Sequence, residues 1–168
     1  MKKRTTAIGI VLVLIAATVM AQTGKTDFSG SWVLNKEKSG LQEGARFVAS
    51  KLVVKQAANT ITIARTVQRQ DQERVTIDTL TLDGKERTSV GAMNAVRKFT
   101  AAWSQDGKTL TIKSNSVFER DGNKFEMSST EILSLKDDGK TLSIDSASTS
   151  PRGERKAVLV YDKAAETK

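Results

Sequence analysis

Asp27-Phe28-Ser29-Gly30-Ser31-Trp32-Val33-Leu34-Asn35-Lys36-Glu37-Lys38-Ser39 is the stretch from which the fold can be read. It holds one of only two tryptophans in the chain, and nearly everything after it reads as strand. We take it as the first strand of a β-barrel. Trp32 plugs one end, and Gly30 lets the chain pack closely around the indole.

Downstream, turn signals recur at regular spacing. Asp-Gly stands at 83–84, 106–107, 121–122 and 138–139. Such pairs between alternating apolar runs mark hairpins, because both residues of the turn take positive φ. Ala58-Asn59, Gln70-Asp71-Gln72 and Pro151-Arg152-Gly153 are softer turns. Between them lie ten candidate strands: 28–35, 47–56, 60–69, 73–82, 85–90, 96–104, 108–119, 123–135, 140–149 and 155–162. Short connections imply an antiparallel meander. A weak repeat, Trp103 to Ser114 against Leu133 to Ser146, uses one Asp-Gly-Lys hairpin twice. Two pieces break the rhythm, Lys36 to Arg46 and Val90 to Ala95, and both could cover a barrel's open end.

Successive strand side chains point to opposite faces. The apolar parity is Val48, Leu52 and Val54; Ile61, Ile63 and Val67; Val75 and Ile77; Phe99, Ala101 and Trp103; Leu110, Ile112 and Phe118; Phe125, Met127, Leu133 and Leu135; Leu142 and Ile144; Leu159 and Tyr161. Leu80 and Leu82 have the other parity from Val75 and Ile77, so a bulge is expected near Asp78–Thr79. One wet and one dry face on many consecutive strands fit an all-β, single antiparallel up-and-down barrel of about 8–10 strands. The inward face also carries Arg65, Arg97, Glu131, Ser114, Ser116, Ser129, Ser146 and Ser148. A dry core would not tolerate so many polar groups without partners, whereas a partly wet cavity would.

Residues 1–21 have the layout of a secretory signal. Lys2, Lys3 and Arg4 precede an apolar run from Ala7 to Val19, and Val19-Met20-Ala21 forms a cleavage site. The run is shorter than the roughly 18 residues of a spanning helix. Cleavage after Ala21 would send a bacterial protein to the periplasm or outside, with no stable membrane span. Residues 22–27 read as a short leader, 28–163 as the barrel and 164–168 as a polar tail. The chain has 27 basic and 19 acidic residues. The basic excess is spread out and lacks the focused patch with aromatics that nucleic-acid binding needs. With no cysteine, an exported fold rests on its core alone, which a single domain of this length can supply.

There is no histidine and no cysteine. That removes Ser-His-Asp and Cys-His catalysis and the usual transition-metal ligands. No phosphate-binding or nucleophile-elbow motif occurs, and the Asp-Gly turns lack calcium-loop spacing. The chain therefore reads as a non-enzyme without metal or cofactor.

Gly30-Ser31-Trp32 resembles the Gly-x-Trp first strand of the lipocalin (calycin) superfamily. Phe28 to Ser39, Trp103 to Ile112 and Ser150-Pro151-Arg152-Gly153-Glu154 are similar to bacterial exported lipocalin-like proteins. The resemblance implies a lipocalin-like barrel whose tryptophan meets a late basic side chain, with Arg152 and Arg155 as candidates. The chain lacks the Thr-Asp-Tyr triplet, the disulfide and a two-helix lid. The expected function is binding of a small, largely apolar ligand by a monomer. Phe99, Trp103, Phe118, Phe125 and Met127 would line the pocket. Arg65 and Arg97 would meet an acidic group, and Glu131 would pair one of them in the empty barrel. Two alternatives stay open: a filled barrel acting through its outer face at the cell envelope, and a hydrolase with two facing carboxylates within about 10 Å.

Overall fold

A computed structural model describes residues 24–41, 48–69, 72–90, 95–120 and 122–165. The proposed signal segment, the rest of the Lys36–Arg46 connection beyond Leu41, and most of Val90–Ala95 lie outside the described residues. Ten strands follow one another: β1 (Gly30–Leu34), β2 (Lys51–Gln56), β3 (Thr60–Arg69), β4 (Gln72–Thr81), β5 (Arg87–Val90), β6 (Val96–Trp103), β7 (Thr109–Arg120), β8 (Asn123–Lys136), β9 (Thr141–Ser150) and β10 (Gly153–Lys163). They form one antiparallel sheet in the order β4-β3-β2-β1-β10-β9-β8-β7-β6-β5. This is the expected all-β, up-and-down barrel.

Closure has two forms. Pairing of β1 with β10, Trp32 opposite Lys163 and Leu34 opposite Tyr161, joins the two halves of the chain by backbone hydrogen bonds. Edge strands β4 and β5, by contrast, share no ladder among the described residues. The sheet curls until β4 comes against β6, and there it is held mainly by side chains.

The alternating pattern fills one end of the barrel. Trp32, Phe28, Leu52, Ile61, Leu80, Leu110, Leu133, Leu142 and Tyr161 are all buried there or just above. Trp32 donates from Nε1 to the Phe28 carbonyl at 3.0 Å. Burying an indole of this size removes an area worth about 5 kcal/mol before entropy. Lys163 Nζ stands 5.6 Å from the Trp32 ring centroid. Lys163 is therefore the basic partner of the plug, in place of Arg152 or Arg155; Arg155 pairs with Ser148 toward the opposite end of β10. Gly30 has φ +139, and a Cβ there would press on Lys163 and approach Trp32.

The N-terminal residues strap this closed end. Thr26 N donates to the Gly107 carbonyl at 2.9 Å, and Gln56 Nε2 donates to the Thr26 carbonyl at 3.0 Å. Within the short leader, residues 24–27 are thus tied to the barrel.

Three sequence expectations are corrected. No bulge interrupts β4: its ladder with β3 runs unbroken from Arg69↔Gln72 to Thr60↔Thr81. With Leu80 buried, alternation turns Asp78 inward and Val75 and Ile77 outward, where they are 54% and 68% exposed. Their apolar character misled because an edge strand at a seam leaves its outer face uncovered. Asp83-Gly84 does not close a hairpin. Instead Gly84 N donates to the Ala101 carbonyl at 3.0 Å, carrying the chain from β4 toward β6. Finally, paired positive φ occurs at Asp138 and Gly139, together with Asp137. At 106–107 only the glycine takes it, because the turn from Ser104 to Thr109 is a longer loop closed by Ser104 N to the Thr109 carbonyl at 2.9 Å.

Candidate functional site

Above the apolar layer, four charged side chains converge inside the barrel. β3 brings Arg65, β4 brings Asp78, β6 brings Arg97 and β8 brings Glu131. Arg65 Nη1 donates to Asp78 Oδ2 at 2.9 Å and Arg65 Nη2 to Glu131 Oε2 at 2.7 Å. Arg97 Nη1 donates to Asp78 Oδ1 at 2.6 Å. All four keep some exposure, from 18% for Arg65 to 28% for Arg97. Parity positions each one: Ile63 and Ala101 are buried two residues from Arg65 and Phe99, and Leu133 two residues from Glu131. Each charged group therefore inherits an inward direction from a core neighbour.

The group is electrically balanced. Arg65 is held at both ends of its guanidinium, whereas Arg97, among the described residues, spends one of its nitrogens on Asp78 and has further donors to offer. Its guanidinium carbon lies 5.9 Å from the Phe99 ring centroid. Tyr161 forms the floor, donating to the Ala49 carbonyl at 3.1 Å. Burial holds its phenol above the ordinary value; nearby Arg65 opposes that effect and Glu131 adds to it.

A pocket of about 340 Å³ opens beside this group at the seam. Asp78, Arg97, Phe99 and Ser116 line it, and Ile77 and Val90 border it. Above Glu131 the inner wall of β7–β9 is hydroxylated. Ser114 and Ser129 hydroxyls meet at 2.9 Å, with Ser116, Ser146 and Ser148 on the same face.

The expected pocket residues separate into three levels. Arg65, Arg97, Glu131 and Phe99 belong to the middle. Trp103 belongs to the closed end, stacked on Phe28 at 5.6 Å and 8° with Lys25 over its ring. Phe118 and Phe125 stack on each other at 5.3 Å near the tip of the β7–β8 hairpin. They stand about 20 Å along the strand from Glu131. Met127, close to that tip, is 45% exposed. The single pocket drawn through all of them is corrected accordingly. Asp78 is the residue that sequence reasoning missed. Its signal was the shared parity with Leu80 and Leu82.

The two facing carboxylates that a hydrolase would need are present, but one guanidinium sits between them and bonds to both.

No protein-family model matches the chain, and no curated sequence is significantly similar to it. Among solved structures the chain is similar to zebrafish ileal bile acid-binding protein, crystallised in complex with cholic acid. Identity is 18%, the match covers 82% of this chain and 98% of that one, and the TM-score is 0.51. The likeness shows the fold alone: an antiparallel up-and-down β-barrel.

Proposed function

We propose that this protein is a non-catalytic carrier that binds one small, largely apolar molecule inside its barrel, with a polar head held beside Arg97. The observation that carries this reading is the charged group next to an open pocket of about 340 Å³ above the apolar closed end of the barrel. A packed structural core has no use for four charges and a void. The cholic acid held by a barrel of the same fold supports a small-molecule ligand as well. The layout of residues 1–21 further supports export to the periplasm or beyond, and we read the carrier as a monomer.

Titration with Nile red, an uncharged apolar fluorophore, tests the carrier reading. Saturable binding with one site, displaced by lipid-like competitors, is the expected result. Absence of any saturable binding overturns the reading in favour of a filled barrel. N-terminal sequencing of the protein recovered from bacterial periplasm tests export, with Gln22 expected as the first residue.

A further inference from the structure

Resting on that carrier reading, we infer that the head of the bound molecule is uncharged and carries a hydrogen-bond donor beside an acceptor, as in a primary carboxamide. A carboxylate is the wrong head, and Asp78 is the residue that excludes it.

The reasoning begins with charge. Two guanidinium groups face two carboxylates within one connected set of ion pairs. An added carboxylate would leave a net negative charge in a partly desolvated interior, where such an imbalance is costly. It would also crowd the Asp78 carboxylate, which shares Arg97 at 2.6 Å, and compete with it for positive charge while offering it no proton. An uncharged head meets no such competition. Arg97 has donors left over, and each Asp78 oxygen has lone-pair capacity beyond its one bond to arginine. A carboxamide can accept from Arg97 and donate to Asp78 at once, leaving the ion pair intact.

Position supports this choice over Arg65. Both ends of the Arg65 guanidinium are already engaged, and it is the least exposed of the four. It positions Asp78 and Glu131. Arg97 and Asp78 both line the seam pocket, with Ser116 adding a hydroxyl. Phe99 beside them and Ile77 and Val90 at the border, each of the last two 68% exposed, offer apolar surface to a chain or ring attached to that head.

The test compares decanamide with decanoic acid, which share a chain and differ in the head. Each displaces Nile red from the full folded protein at neutral pH. Decanamide is expected to bind about tenfold more tightly, the size of one or two well-placed hydrogen bonds. In Asp78→Asn the preference should reverse, because Arg65 and Arg97 then carry unmatched positive charge. Glu154→Gln, which changes an exposed acid far from the seam, should keep the native preference. Equal or tighter binding of decanoic acid by the native protein overturns the inference while leaving the carrier reading intact. An unchanged preference in a folded Asp78→Asn removes Asp78 from its assigned role. Failure of Nile red and both probes to bind overturns both readings.

Discussion

Asp78 on β4 and Arg97 on β6 meet at 2.6 Å across the seam, where among the described residues the sheet has no ladder. An ion pair takes over part of the work that backbone hydrogen bonds do elsewhere around the barrel. Removing Asp78 as Ala should therefore strand Arg97, leave Arg65 with Glu131 alone and lower stability by about 2 kcal/mol, discounted for partial exposure. Adding Arg97→Leu to that variant should recover part of the loss. A urea-denaturation double-mutant cycle measures the coupling, and additive effects would contradict it.

The unbroken β3–β4 register makes opposite forecasts for two neighbouring apolar residues. Ile77→Thr should change stability by no more than about 0.5 kcal/mol, as outward positions do. Leu80→Ala should cost about 2–5 kcal/mol, as a buried leucine does. A bulged strand would turn both side chains inward and make both substitutions costly, so the thermal melt of Ile77→Thr decides the register.

Tyr161 gives the fold an alkaline limit. Its phenol is held above the ordinary value by burial, so the folded state keeps a proton that the unfolded state releases. Stability from this group is complete below about pH 10 and falls above it, by about 1.4 kcal/mol per pH unit until the folded phenol ionises. Tyr161→Phe should lose about 1 kcal/mol at neutral pH with the bond to Ala49, yet decline less steeply above pH 10. Denaturation curves at several alkaline pH values check the difference in slope.

Two glycines with nearly the same φ separate strain from contact. Gly107 (φ +69) and Gly122 (φ +73) would both be strained as alanine, but only at Gly107 does a Cβ meet backbone, 2.6 Å from the Gly24 carbonyl oxygen. Gly122→Ala should cost about 1–2 kcal/mol. Gly107→Ala should cost more and also free residues 24–27 for proteolysis. Equal protease resistance in the two variants would mean that the strap does not depend on this approach.

Strand positions were legible in the sequence because period-two alternation and Asp-Gly punctuation are local signals. The candidate strands at 60–69 and 123–135 match β3 and β8 to within a residue. Inward parity brought Arg65, Arg97 and Glu131 forward for the same reason. Asp78 was not found, because apolar Val75 and Ile77 were taken as the inward set. Which face of an edge strand is covered depends on a seam that only the closed sheet defines. The height of a residue along the barrel was equally hidden. Trp103, Phe99 and Phe118 share a face, but strand length and stagger send them to the floor, the middle and the tip.

The strap has a consequence for how the molecule can be held. Thr26 is fastened to Gly107 at the plugged end, and Ala164 N donates to the Ser31 carbonyl at that same end. Both ends of the described chain therefore emerge on the side away from the rim. A linker, a fusion or a solid support joined at either one would grip the barrel by its base, like a cup by its foot, and leave the seam and rim free for traffic.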